Sequence, residues 1–192
     1  MTPRRASAIG GITVLVAGLA WLLFIGLPRW YRPAVVKSAT AAAKPGAAAP
    51  PGRKIKAHLF YVADDGVRLV SVERDVPFGD GTVEQAKEII SAQIAPVADP
   101  LLSAIPTGTT LRALFITAKG DAYVDLSHEV AAAHTGGTVN ELLTVYTIVN
   151  ALTANLPAVS GVQLLVDGKE VDTLAGHVDL RRPLARNLTW VQ

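Results

Sequence analysis

Hydrophobic and polar positions fall into three regimes along the chain, and each predicts a different kind of element. Ile9 to Leu27 reads IGGITVLVAGLAWLLFIGL, nineteen residues without a charge. At about 1.5 Å of rise per residue, a helix of that length approaches a hydrocarbon core of about 30 Å. The pattern predicts a transmembrane helix at residues 9–27, behind a short basic tail at 1–8. Gly10, Gly11, Gly18 and Gly26 would weaken a soluble helix but are common in membrane spans. Arg4 and Arg5 on one side, with Trp30, Tyr31 and Arg32 on the other, are the expected flanks of the anchor. A cleaved signal peptide is the competing reading. It fits less well, because the run is long for a signal core and Pro28-Arg29-Trp30-Tyr31-Arg32 is a poor cleavage region.

Residues 28–56 carry no periodicity. They are basic and rich in Ala and Pro, with the stretch ATAAAKPGAAAPPG ending at Gly52. Such a linker has nothing to bury and extends at about 3.1 Å per residue, so it reads as a spacer.

From Ala57 onward the pattern alternates. His58–Val62 and Val67–Val72 read as strands around the turn Asp64-Asp65-Gly66. Gly81-Thr82-Val83-Glu84-Gln85 opens a helix, with Thr82 as the expected cap and Gln85 completing a capping box. Val83, Ala86, Ile90 and Ile94 follow at helical spacing. The same order then returns. Leu111–Ile116 and Ala122–Leu126 flank Lys119-Gly120-Asp121, and Thr138 with Glu141 repeats the box ahead of Val139, Leu142, Tyr146, Val149 and Leu152. The two turns lie 54 residues apart and the two caps 56, so the register is kept. A third hairpin turns at Asp167-Gly168, between Val162–Val166 and Glu170-Val171. Residues 57–192 therefore predict an α+β, two-layer domain in the order ββα-ββα-ββ, a mixed sheet with two helices packed on one face.

Charge sharpens this division. Residues 1–56 hold nine Lys and Arg and no acid, a balance of +9. Residues 57–192 hold nine Lys and Arg against all sixteen Asp and Glu, a balance of −7. The sequence pI near 9.0 averages two unlike parts. An acidic domain is a poor neutraliser of phosphates, which argues against nucleic acid as a partner. The basic part suits anionic headgroups. On the positive-inside rule, Arg4, Arg5 and the amino terminus nearly balance Arg29, Arg32 and Lys37, so charge does not set the orientation. Cysteine is absent, which removes disulfides, thiolate metal sites and a lipidated Cys from consideration.

Candidate chemistry is sparse. Ser127-His128-Glu129 has the residue types of a hydrolase, but a triad is built by side chains converging from separate elements. His58, His128, His134 and His177 are dispersed, and the closest pair, His128 and His134, lacks helical metal spacing. The acids Asp64, Asp65, Asp121, Asp125, Asp167, Asp172 and Asp179 sit mostly in turns, without a D-x-D-x-D-G loop. Gly79-Asp80-Gly81 is a lone glycine pair, not a phosphate loop. No catalytic, cofactor-binding or metal-ligating residues are expected, and no cofactor.

Several stretches together resemble the GerMN domain, the sporulation and spore germination family. They are LFYVADDGVRLVSVERDV, the IPTGTTLRALFI approach to the third strand (Ile105, Pro106, Gly108, Thr109, Leu111), DAYVDLS (Asp121 to Ser127), the helix GGTVNELLTVYTIVNAL, and VQLLVDGKEVDTLAGHVDLRRPL. The resemblance covers nearly all of residues 57–184. It implies an extracytoplasmic, envelope-associated, non-catalytic domain, similar in layout to modules that stack side by side in envelope complexes.

The expectation is a cytoplasmic-membrane protein, held by one helix, whose domain lies outside the cytoplasm. That domain binds other envelope proteins or itself. The alternative is a ligand-binding module for cell-wall glycan (peptidoglycan) or a small envelope molecule. Phe60, Tyr61, Phe115, Tyr123 and Tyr146 read as core positions, which leaves Phe78 and Trp190 as the candidate exposed contact residues.

Overall fold

A computed structural model describes residues 52–192 together with Trp21. The predicted membrane segment and its flanks Arg4, Arg5, Trp30, Tyr31 and Arg32 otherwise lie outside the described residues. No described helix is long and apolar enough to cross a membrane.

The folded part opens with a hairpin, β1 (Lys54–Val62) antiparallel to β2 (Leu69–Pro77). Asp65 makes the turn: its Oδ1 accepts from the N–H groups of Val67 and Arg68 at 3.0 and 3.1 Å, the local bonding that places Asp in turns. Helix α1 (Thr82–Ile94) follows, and then β3 (Leu111–Ile116) and β4 (Asp121–Leu126), antiparallel with a register shift at Arg112. The short α2 (Glu129–Ala132) and the long α3 (Thr138–Asn155) cross over to β5 (Gly161–Val166), which pairs parallel to β4. Asp167 and Gly168, both at positive φ, turn the chain into β6 (Lys169–Glu170), and β7 (Leu184–Ala185) pairs with the other end of β5. Paired positive φ values are what a two-residue hairpin turn requires.

The mixed sheet exists, but it holds only β3 to β7. The first hairpin forms a separate two-stranded sheet, where the repeat pattern predicts one sheet throughout. The reason lies at the outer edge of β1, which is already occupied. Asn155 Oδ1 accepts from His58 N–H and its Nδ2 donates to His58 C=O, both at 2.8 Å. Gln93 does the same for Phe60, also at 2.8 Å. Val62 N–H donates to the Leu102 carbonyl at 2.8 Å. Helices α1 and α3 thus occupy the position a neighbouring strand would take. They join the hairpin to the sheet, since each touches both.

The core follows the strand alternation. Ala57, Leu59 and Tyr61 of β1, Ala122, Val124 and Leu126 of β4, and Val162 and Leu164 of β5 are all buried against the helices. Helix α1 buries Ala86, Ile89 and Ile90, while α3 is buried on most of its circumference. The predicted stripe of α3 is therefore a flank of the true one. Val149 and Leu152 are buried, Leu142 and Tyr146 half-buried, and Val139 is 37% exposed.

Both predicted capping boxes are replaced by something else. The caps are Gly81 and Gly137, each with φ +86, and neither helix has a side-chain cap bond. Gln85 instead reaches back to the loop before α1, accepting from Gly79 N–H at 3.0 Å and donating to the Pro77 carbonyl at 3.1 Å. Gly79 has to be glycine, because a Cβ there would press on the backbone of Glu84 and Gln85. Glu141, with its side chain fully buried, accepts from the N–H groups of Leu174 and His177 at 2.7 and 2.8 Å. Burial pushes its carboxyl up, but the backbone N–H groups of Ala175, Leu174, His177 and Val178 outweigh that and hold it below the ordinary range.

Candidate interaction surface

The five-stranded sheet turns one face to the helices and the other outward. Phe115 lies on that outward face of the edge strand β3, opposite Tyr123 of β4, which in turn lies beside Gln163 of β5. Phe115 is 61% exposed, so it is not the core residue the sequence pattern predicts. The alternation explains this: Leu114 and Ile116 take the inward positions, and among the described residues no further strand covers β3 on its open side. Tyr123 is half-buried beside it.

A charged rim borders this aromatic pair. Arg112, at the register shift, places its Nε 3.3 Å from Asp125 Oδ2 and its Nη1 2.8 Å from Asp167 Oδ1. Asp125 is only 6% exposed, and its Oδ1 accepts from Gly168 N–H at 2.7 Å. The irregularity in β3 is therefore what lets one guanidinium pin the strand to the β5–β6 turn. An exposed aromatic held on a rigid sheet loses little freedom when it is covered.

Two clefts flank the loop Ser103–Thr107. One, of about 290 Å³, is lined by Ser103, Thr107, His134, Thr135 and Asn140. His134 Nδ1 accepts from Gly136 N–H at 2.9 Å, which puts the ring proton on Nε2, 3.1 Å from Thr144 Oγ1. Thr144 Oγ1 passes the chain on to the Ala104 carbonyl at 2.6 Å. This histidine is a structural strut between two loops. The second cleft, of about 620 Å³, has an apolar lining that includes Ile94, Val97, Leu101 and Leu111.

The two predicted contact residues differ in their setting. Phe78 is 40% exposed and carries the Arg53 guanidinium 4.2 Å over its ring, a cation–π contact. Trp190 is half-buried and packs on the core, so it does not stand free as expected. Its carbonyl accepts from Leu69 N–H at 2.6 Å.

The run Ser127-His128-Glu129 does not converge. Ser127 Oγ accepts from Thr110 N–H at 3.0 Å, and His128 Nδ1 lies 3.2 Å from Glu129 Oε1 on an exposed turn. The Ser127 hydroxyl, ahead of weaker contributions, holds the Glu129 carboxyl below its ordinary range. Among the described residues no group of three or more His, Asp or Glu is gathered where a metal could sit.

The roles that sequence reasoning missed are those of the amides. Gln85 and Gln93 fall on the buried face of α1, at spacing eight with Ile89 between them. A polar side chain repeated within an apolar stripe was the available signal.

The family profile described as "Germane: Sporulation and spore germination" matches residues 58–172. The chain belongs to this family. The Germane match runs from β1 through the β5–β6 hairpin and stops at Asp172, ahead of β7 and of the Trp190 contact. Among curated proteins none matches the chain. Solved structures similar to it include the following three. The tandem GerMN domains of the sporulation protein GerM from Bacillus subtilis are 17% identical, over 69% of this chain and 46% of that one, with a TM-score of 0.54. The first GerMN domain of the same protein is 19% identical over 69% and 98%, with a TM-score of 0.51. A candidate lipoprotein of Clostridium perfringens is 23% identical over 73% and 93%, with a TM-score of 0.49. At these identities the likeness to the GerM domains is one of fold.

Proposed function

We propose that this is a non-catalytic cell-envelope protein, held in the cytoplasmic membrane by residues 9–27, whose Germane domain outside the cytoplasm binds other proteins or further copies of itself. The observation that carries the reading is Phe115, a large aromatic kept 61% exposed on an edge strand that the Arg112–Asp125–Asp167 ion pairs tie to the rest of the sheet. Isolated exposed apolar residues are ordinary. One held beside a second aromatic on a rigid sheet face is what a contact surface needs. Membership of a sporulation and germination family supports an envelope role.

Crosslinking of the full-length protein in intact cells, followed by identification of what copurifies from the solubilised membrane, tests this. Multiples of the protein itself, or specific envelope proteins, are expected, with loss of the adduct in Phe115→Asp. Recovery of cytoplasmic partners overturns the orientation. Recovery of no protein at all overturns the reading.

A glycan-binding role has one observation in its favour, the hydroxyl- and amide-lined cleft at Ser103, Thr107, Thr135 and Asn140. Sedimentation with purified peptidoglycan decides it: a protein that stays in the supernatant does not use that cleft for wall polymer.

A further inference from the structure

A second surface, the outer edge of β2, is more specific in what it can accept; this inference rests on the reading that the domain binds proteins. Leu69 turns its backbone away from β1. Its N–H donates to the Trp190 carbonyl at 2.6 Å, and its own carbonyl accepts from Gln192 N–H at 2.8 Å. Its partner in the ladder, Val62, also turns outward, to Leu102. In an antiparallel pair outward and inward residues alternate, so Ser71, Glu73 and Asp75 must direct their N–H and C=O groups outward as well. All three residues are exposed. Among the described residues their outward backbone groups have no hydrogen-bond partner.

We infer that this edge accepts an extended segment of another polypeptide in which Lys or Arg alternates with apolar residues, added parallel to β2 in line with Trp190–Gln192. Strand addition at this edge has a precedent within the molecule, because Val191 already pairs parallel to Leu69. The alternation of the occupant follows from the two faces of β2. One face presents Glu73 and Asp75, exposed; the other presents Val70 and Val72, half-buried, with the exposed Arg74 beyond them. A strand laid alongside places its side chains beside these in turn.

β1 shows the complementary pattern on the opposite edge. Lys54 and Lys56 lie on the acidic face, with Lys56 Nζ 2.9 Å from Asp75 and 3.8 Å from Glu73. Ile55, Ala57 and Leu59 take the apolar face, opposite Val76, Arg74 and Val72. The looser Glu73 carboxylate is left able to take a second cation from the outer side.

A second copy of the same edge is disfavoured as the occupant in its most extensive registers. Antiparallel pairing about the centre of the open stretch sets Glu73 against Glu73, and in-register parallel pairing adds Asp75 against Asp75. Like charges directly opposed destabilise a strand pair.

The probe is a fluorescent synthetic peptide with the sequence Arg53 to Leu59, RKIKAHL, titrated into the purified full-length protein in mild detergent and followed by anisotropy. Saturable binding that weakens with added salt is expected. A peptide with both Lys replaced by Glu should bind roughly tenfold more weakly. In the protein, Glu73→Pro removes an outward N–H and blocks the edge, and should abolish binding while the circular dichroism spectrum is unchanged. The double variant Glu73→Lys, Asp75→Lys tests the charge of the edge independently of its backbone, and it should reverse the preference between the two peptides. Failure of RKIKAHL to bind, or equal binding by both variants, overturns the inference. Either result leaves the Phe115 surface and its crosslinked partners untouched.

Discussion

The two edges of the first hairpin are finished in opposite ways. Along β1 the outward residues from His58 to Val62 have partners: Asn155 for His58, Gln93 for Phe60, Leu102 for Val62. Along β2 the two ends are satisfied, Leu69 by the C-terminal residues and the Pro77 carbonyl by Gln85, and the stretch from Ser71 to Asp75 stays open among the described residues. The contrast shows what an edge strand needs in each setting. Where the edge faces helices it is buried, and both the N–H and the C=O of each residue must find partners. A primary amide is the neutral side chain that donates and accepts at once, so one Asn or Gln satisfies one residue completely. Where the edge faces solvent, water satisfies the same groups, and the edge remains available to another chain.

The largest effect is expected from a change that ignores this polarity. Val72 points its backbone inward to Leu59, so Val72→Pro breaks the ladder itself and should lower stability by about 3 kcal/mol or more. Urea unfolding of the full-length protein, followed by far-ultraviolet circular dichroism, measures it. A loss under about 1 kcal/mol would place the inward and outward residues of β2 the other way round.

Gln93→Leu comes next. It keeps the volume but leaves the buried N–H and C=O of Phe60 without partners. Each orphaned group costs roughly 1–3 kcal/mol, so a loss of at least about 2 kcal/mol is expected in the same measurement. A neutral result would mean that water reaches Phe60 and that the amide is not what seals the edge.

These amides also mark where the sequence was and was not readable. Turns carry their own chemistry: Asp65 with Gly66, Gly120, and Asp167-Gly168 each impose a local backbone geometry, and each was placed correctly. The order of strands and helices followed from that punctuation. What could not be read was any partner distant in sequence. Gln85 and Glu141 match a capping box at spacing three, yet the structure sends both to other loops, the second one 33 residues away at Leu174. The same limit hid the division into two sheets, because it depends on Gln93 and Asn155 reaching back 33 and 97 residues. Phe115 was misjudged for a related reason. Its aromatic character says that it belongs on a sheet, but which face is covered depends on how many layers pack there. The candidate surface was therefore visible as residues and invisible as a place.

Asn155→Ala sharpens the comparison from the exposed end of β1. The bridge it removes is the same as that of Gln93, but His58 is open to water, which replaces most of what is lost. A loss of about 1 kcal/mol is expected, well below that of Gln93→Leu. Equal losses at the two positions would show that burial does not set the cost of an unsealed edge.

Glu73→Pro should have the smallest effect on stability, under about 1 kcal/mol. Its N–H points outward and makes no bond among the described residues, and proline is tolerated on an edge strand at such a position. The ion pair lost with it is worth little, since Lys56 Nζ sits 3.8 Å away and both side chains are exposed. Yet the same substitution removes the central donor of the open edge. Two prolines one residue apart on the same strand should therefore separate the strand's two roles. The proline at Val72 costs the fold, while the proline at Glu73 costs only the capacity to be extended by a basic, alternating partner. If Glu73→Pro unfolds the protein as readily as Val72→Pro does, β2 has no open edge, and the contrast between the two sides of the hairpin disappears with it.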